Sequence, residues 1–439
     1  MNNISTKIGN LYDKGIIRQI PYQKEIANMF RIVRFPSKPD SFFNSLKNQF
    51  HFHHFDYFRT LVLLIAFSWG RRNITSLYRY LDHRYQPHRS RFNNFLNVGR
   101  WNPPVVLKIK ASEMLANLNP RPGEVVELIL DDSKKQKRGK IMAAVNWIRD
   151  PLSGRNIRGH QYVTATIRFR GYTIPFGIRL YVKKEDCPKL NVTFKKTTQL
   201  VSELISEFEP PDRIHVRVLF DSYYLCPVAV KACRKKGFRF VLVLKSNRNL
   251  FKNGRKLKTG GYGIRLFHRQ PKKTIRIRKS KGAVTYTYVD AGWMDVSDLG
   301  RLHAVFSRKN CERRILGLVT DDPKLSAGQM ILSYDDRFRI EVFFKDSKQL
   351  LGLGQYQNAS LEAAVTHLHL VCFAYALLTH VAISREGAQG KRKSVVRLSI
   401  ADLQNEVRRI VWDDMSDYLK QFFSGPQIVK ELERLLIAA

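Results

Sequence analysis

Two short apolar runs in this chain end in aspartate. VVELILDD occupies positions 125–132 and HVRVLFD positions 215–221. A mostly apolar run of this length predicts a buried strand, as in a parallel or mixed sheet flanked by helices. Each such strand delivers a carboxylate to its carboxyl end. Few folds bring two acids forward in that way, so this repeated ending constrains the chain more than any composition figure.

The segments around these strands supply the order. Tyr162–Phe169 (YVTATIRF) and Tyr172–Val182 (YTIPFGIRLYV) alternate as an antiparallel pair turned at Arg170-Gly171, whereas SKKQKRGK after the first run reads as a basic loop. Thr197–Phe208 has helical spacing and is stopped by Pro210-Pro211; Asp221 is followed by a helix through Pro227–Lys236 and, after Gly237, by the strand FRFVLVLK. Strand–strand–strand–helix–strand–helix–strand is the ribonuclease-H-like order of a mixed α/β sheet. In that order the two aspartate strands lie side by side and their acids converge.

A third acid comes from YDDRFRIEVFFKDSK at 334–348. The pattern predicts one helix with Asp335 and Asp336 in its first turn, where the macrodipole favours negative charge. At about 100° per residue, Arg337, Glu341 and Lys348 fall at roughly 300°, 340° and 320° from Tyr334. The four polar groups share one stripe, while Phe338, Ile340, Val342, Phe343 and Phe344 predict a mostly buried helix. A carboxylate buried among cations belongs either to a structural ion pair or to an active site, and the two upstream aspartates favour the second.

Charge narrows the partner. Lys and Arg total 76 against 37 acidic residues in 439, a formal net charge of +39. That excess calls for a polyanion, with nucleic acid first and an anionic membrane second. Neither Leu61–Trp69 nor Leu368–Ile383, which contains His369 and His380, reads as a membrane span, and MNNISTKIGNLYDKG has no signal-type apolar core. The five cysteines lack paired zinc spacing and fit a reducing cytoplasm. No Walker-type phosphate loop occurs.

Residues 1–120 read as a helical DNA-binding region. Phe58–Ser68 is an apolar helix; a helix capped by Thr75 or Ser76 and a second after Pro87, with Phe92, Phe95 and Leu96 inward, resemble a helix-turn-helix. Cations and aromatics interleave there: Arg71, Arg72, Tyr78, Arg79, Tyr80, His83, Arg84, Tyr85, His88, Arg89 and Arg91. Such a mixture suits phosphates and stacking. His51, His53 and His54 read as ordinary histidines at a helix start. The catalytic domain is expected over 121–248 and 320–384, split by a β-rich basic insertion at 249–319 with a Gly-rich loop at 248–263; Trp293 either fills the insertion's small core, the favoured reading, or stacks on a base. Arg385–Lys393 reads as a basic linker and 394–439 as a helical region, either packed or partner-binding.

Asp131 (or Asp132), Asp221 and Glu341 form an acid set suited to two Mg²⁺ or Mn²⁺ ions and in-line phosphoryl transfer. Here the chain resembles the DDE transposases of bacterial insertion sequences, in the branch marked by Tyr-x2-Arg-x3-Glu-x6-Lys. Tyr334, Arg337, Glu341 and Lys348 meet that signature at every position, and the resemblance runs from about Phe58 to Ile383. It implies that Asp131, Asp221 and Glu341 hold the metals and that Tyr334, Arg337 and Lys348 contact phosphates, with Arg79, Arg84, Arg89 and Arg91 as further DNA contacts. Strand parity lets only one of Asp131 and Asp132 face the site, and the family's D-x-[ST] spacing, met by Asp131 and Ser133, selects Asp131. The resemblance also implies double-stranded DNA as partner, a homodimer that pairs two element ends, strand cleavage followed by strand transfer, and a prokaryotic cytoplasm. The rival readings are a nuclease of the same fold without strand transfer, and a DNA-binding protein that has lost catalysis.

Overall fold

The computed structural model describes residues 31–435 apart from 38, 85, 140, 151–152, 280–281, 311 and 389–397. The amino-terminal stretch, Tyr85, Cys311 and most of the Arg385–Lys393 linker therefore lie outside the described residues. After two short helical turns, Asp40–Phe43 and Asn44–Gln49, come α1 (Phe52–Phe67), α2 (Ile74–Tyr78), α3 (Arg89–Val98) and α4 (Pro103–Asn117). Asn73, rather than Thr75 or Ser76, caps α2 by accepting from the Ser76 amide at 2.9 Å. Then follow β1 (Val125–Gln136), β2 (Asn146–Arg149), β3 (Asn156–Phe169), β4 (Tyr172–Leu180), α5 (Thr197–Ser206), β5 (His215–Phe220), α6 (Pro227–Lys235) and β6 (Arg239–Leu244). Next are β7 (Asn249–Lys252), β8 (Arg255–Lys258), α7 (Thr259–Arg269), β9 (Lys273–Lys279), β10 (Gly282–Val296), β11 (Gly300–Lys309) and β12 (Leu316–Thr320). The chain closes with α8 (Ala327–Asp336), α9 (Phe338–Gln349), α10 (Leu361–Ala388), α11 (Ile400–Phe422) and α12 (Gly425–Leu435).

All the strands join one mixed sheet. β3 runs antiparallel to β1, and β4 antiparallel to β3, through a tight turn in which Arg170 (φ 43°) and Gly171 (φ 83°) both adopt the left-handed conformation such turns need. On its other side β1 pairs in parallel with β5, and β5 with β6. The 249–319 segment does not stand apart as its own small sheet: β12 pairs antiparallel with β6, β11 with β12 and β10 with β11, so it continues the central sheet. Its Gly-rich stretch is not a loop either. Asn253 (φ 50°) and Gly254 (φ 72°) turn the β7–β8 hairpin. The glycines beyond it open α7, where a Cβ on Gly263 would sit 2.6 Å from the Phe306 ring.

Trp293 is a second departure. A bulge between Asp290 and Gly292 (φ 72°) adds a residue to β10 and reverses its in–out parity. Met294 and Val296 therefore point inward, while Trp293 lies 40% exposed, stacked on His303 with ring centroids 5.6 Å apart. The indole therefore does not take the core position expected for it.

α10 is long and apolar enough to cross a membrane by length and composition, but 83% of that window is buried in the protein. It packs on β4 and on α1, α3, α4 and α11, so one core runs from the amino-terminal helices into the sheet. α11 is anchored by a buried guanidinium. Arg408 stacks on Trp69 at 3.3 Å and donates to the carbonyls of Phe67 (2.8 Å) and Ser68 (3.1 Å) at the end of α1. Arg72, counted above among the DNA-facing cations, is buried beside it and donates to Ser68 O at 2.6 Å. The carbonyl-rich end of α1 attracts both cations, while burial lowers the Arg72 pKa to about 10 and the Arg408 pKa to about 9.

Glu127 sits four residues before Asp131 on the same face of β1, level with Arg217 of β5. Its carboxylate is buried at 3.9 Å from Arg217 and near Ser333 and Asp336 of α8. Burial, helped by Asp336, pushes its pKa up to about 7. A raised carboxyl pKa makes ionisation costly in the folded state, so its contribution is intact below the unfolded value of about 4.5 and is lost as pH rises through about 7. Glu127→Gln is expected to stabilise the protein at pH 8 by on the order of 1–3 kcal/mol relative to its effect at pH 4. Thermal melts at the two pH values check the sign, and an equal effect at both contradicts it.

Candidate active site

The parallel register of β1 and β5 sets the geometry. Leu130 stands opposite Phe220, so Asp131 and Asp221 follow at one level on neighbouring strands. β5 ends there, but β1 does not. It remains paired with β3 as far as Gln136 opposite Gly159, so SKKQ is strand and the first acid lies within a strand rather than at its end. Consecutive side chains alternate faces, and the two aspartates of β1 have separate partners. Asp131 accepts from Arg337 Nη1 at 3.0 Å. Asp132 accepts from the Tyr224 hydroxyl and from Gln161 Nε2, each at 2.8 Å, and lies 3.5 Å from Lys134 Nζ.

The third acid reaches the site across a break. The expected single helix at 334–348 is two, α8 and α9, meeting at Arg337. α8 begins eight residues before the signature, at a capping box in which Ser326 accepts from the Gln329 amide and the Gln329 side chain accepts from the Ser326 amide. Asp335 and Asp336 consequently fall in the last turn of α8, the unfavourable end of the dipole, instead of a first turn. Lys279 and Tyr286 from the β9–β10 hairpin compensate Asp335, and Arg339 lies 3.8 Å from Asp336.

Arg337 is the hub of the site. Its Nη2 donates to Glu341 at 2.8 Å while Nη1 holds Asp131, and the guanidinium lies 5.5 Å from the Tyr334 ring centroid. Burial opposes its charge, but Tyr334, Asp131, Asp221 and Glu341 outweigh it and raise its pKa. Asp131 shows the opposite balance. Burial pushes its pKa up to about 6, with Asp132 and Asp221 adding to the rise, even though Arg337 opposes it. Glu341 was expected to be buried, yet its side chain is 43% exposed, because α9 turns Ile340, Phe343 and Phe344 inward and Glu341 out. Among the described residues, no three His, Cys, Asp or Glu side chains are already gathered at metal-binding distance.

Lys348 keeps to the same side of α9 but meets protein: Nζ donates to the Lys134 carbonyl of β1 at 3.0 Å. Tyr334 is half-buried, and burial raises its pKa. In the amino-terminal region Arg79, Arg84, Arg89 and Arg91 are exposed. Arg84 is not free, since it reaches Glu431 of α12 at 2.8 Å, and Arg434 holds Asp82 at 2.8 Å in the same network. Arg89 lies 3.4 Å from the Thr75 hydroxyl. Sequence reading missed Tyr224, Gln161 and Lys134, the partners of Asp132. Only the adjacency of Tyr224 to Asp221 signalled any of them.

A family model for the DDE superfamily endonucleases matches residues 43–293, more than half of the chain. The chain belongs to that superfamily. The matched span contains Asp131 and Asp221 and ends before Arg337 and Glu341. No curated protein matches the chain in sequence. Among solved structures, a piggyBac transposase synaptic complex with hairpin DNA is similar at 12% identity and a TM-score of 0.44, over 94% of this chain and 83% of that one. A Drosophila P element transposase strand transfer complex is similar at 13% identity and a TM-score of 0.21, over 53% and 54%. Scores this low carry no argument about fold or activity.

The contact of Lys348 with β1 has a measurable consequence. Lys348→Gln is expected to lower the stability of the DNA-free protein by about 1–3 kcal/mol, the usual effect of removing a charged hydrogen bond. Denaturant unfolding without DNA tests this. An unchanged midpoint would leave phosphate contact as its whole role.

Proposed function

We propose that the chain is a transposase of a prokaryotic insertion sequence. It acts in the cytoplasm on double-stranded DNA and works as a homodimer that pairs two terminal inverted repeats, cuts at them and joins the freed 3′-hydroxyls to target DNA. One observation carries the reading: Asp131 and Asp221 stand level on adjacent parallel strands while Arg337 ties Glu341 of α9 to Asp131. The order β4-β3-β1-β5-β6, with β1 central and parallel to β5, supports a ribonuclease-H-like core.

The donor set suits a hard divalent cation. It consists of carboxylate oxygens alone, and burial keeps the Asp131 pKa raised even with a guanidinium beside it. Asp131, Asp221 and Glu341 would hold Mg²⁺ or Mn²⁺, which when bound activates an attacking oxygen and stabilises the leaving one. Asp132 supports Asp131 rather than replacing it, since Tyr224 and Gln161 already occupy its oxygens. Arg337 supplies charge at the acids in the DNA-free protein and is placed to meet a phosphate of the bound strand. Exposed Arg276 and Arg278 of β9, beside the Lys279–Asp335 contact, extend a cationic track from the site.

The test is cleavage of labelled duplex that carries the element end and its flank, with Mg²⁺ or Mn²⁺. Wild type should cut at the end, and Glu341→Gln should bind but lose cutting by at least about 10²-fold, as expected for loss of a metal-holding acid. Binding without cutting by wild type would favour a repurposed DNA-binding protein. Equal cutting by both would mean that Glu341 has no part in catalysis.

A further inference from the structure

Past the carboxyl end of β5, two residues beyond Asp221, stands an aromatic that the site does not use. Tyr223 follows Asp221 by two residues in the turn Ser222–Tyr224. It is 54% exposed, one of the most open large aromatic rings among the described residues. Its ring is nevertheless held in place. It packs edge-to-face on buried Tyr224, with centroids 5.0 Å apart at 87°, and the Tyr224 hydroxyl is fixed by Asp132 at 2.8 Å. Lys245 Nζ stands 5.4 Å from the Tyr223 ring centroid. Register explains the pairing: Phe220 of β5 lies opposite Leu242 of β6, so Tyr223 and Lys245 each come three residues later, past the carboxyl ends of adjacent parallel strands. Ligands of α/β sheets gather at that edge. Arg248 is close by, donating to the Leu225 carbonyl at 2.8 Å. Tyr181, beyond β4, is near enough to Tyr223 to interact electrostatically with it.

Tyr223 meets one buried ring and carries an exposed ammonium over its own ring, a surface cation–π contact that adds little stability, which leaves most of the ring's exposure unexplained. The ring leaves more than half its surface in water, and the lysine has no carboxylate partner among the described ion pairs. Together they match the two halves of a nucleotide, a flat base for the ring and a phosphate for the ammonium. We infer that Tyr223 and Lys245 form a subsite for one unstacked nucleotide flanking the scissile phosphate, with the base on the Tyr223 ring and its phosphate at Lys245. The inference rests on the DNA-cutting function proposed above. A base held there fixes the strand beside Asp131 and Asp221, so Tyr223 positions substrate without taking part in bond-making.

The experiment uses full-length protein and an end duplex carrying 2-aminopurine in turn at the nucleotides flanking the cut. A Glu341→Gln background keeps the duplex intact while fluorescence is read. Binding should change the fluorescence at one of these positions with Tyr223 or Tyr223→Phe, and not with Tyr223→Ala, while anisotropy still reports duplex binding by all three. With Glu341 intact, Tyr223→Ala should cut roughly ten-fold or more slowly and Tyr223→Phe close to wild type, since the ring face carries the stacking. Lys245→Ala should weaken binding and flatten its salt dependence by about one phosphate contact. Melting temperatures should stay level, because both side chains are exposed. Unchanged fluorescence response and cutting by Tyr223→Ala would overturn the subsite, as would equal loss in Tyr223→Phe. Failure of the parent protein to bind the end duplex would instead overturn the DNA-cutting function itself.

Discussion

The parallel pairing of β1 with β5 is the constraint on which the site depends. Buried apolar side chains on both strands fix the register at Leu130 opposite Phe220, and a slip by one residue would move every side chain to the opposite face of the sheet. That register leaves Asp131 and Asp221 level, with like charges facing each other in a partly buried setting. A fold holds such a pair only with positive charge nearby. Arg337 supplies part of it, while burial still raises the Asp131 pKa. The sheet therefore creates a demand for a cation, and the junction of α8 and α9 is arranged around that demand.

The same logic runs outward from the junction. α8 ends with two aspartates where the helix dipole disfavours them, and one of these is held by Lys279 and Tyr286 from the β9–β10 hairpin. The basic hairpin is thus joined mechanically to the residues that precede Arg337. Elsewhere Arg408 clamps α11 to the carbonyl end of α1, Arg72 folds back on the same carbonyls, and Arg84 engages α12. A chain with this surplus of cations spends several of them on holding its own helices together.

What could be read from sequence, and what could not, divides along one physical line. The two aspartate-bearing strands were legible because short, mostly apolar runs have few alternative structures, although β1 runs on past its aspartates to Gln136. The stripe of Arg337, Glu341 and Lys348 was legible because helical periodicity continues through a one-residue break. The break itself was hidden for the same reason, although Ser326 and Gln329 carried a capping signal upstream. Strand pairing is non-local, so nothing near 249–319 announced that β12 would extend the central sheet. One bulge residue reversed the face of Trp293. Charge alone did not distinguish a cation that is free to meet phosphate from one buried on a carbonyl, which is where Arg72 went astray. The partners of Asp132 come from β1, β3 and the turn after β5, a convergence that only the folded chain displays.

The central claim is that Asp131 and Asp221 together make a cation site. Counting Mn²⁺ bound to the DNA-free protein by paramagnetic resonance, for wild type and for Asp221→Asn, tests it directly. Saturable binding by wild type that is lost in Asp221→Asn, with the fold intact by circular dichroism, is the result the account predicts. Equal Mn²⁺ binding by the two proteins would contradict it, since the pairing of β1 with β5 would then have brought the two acids level without making them a site.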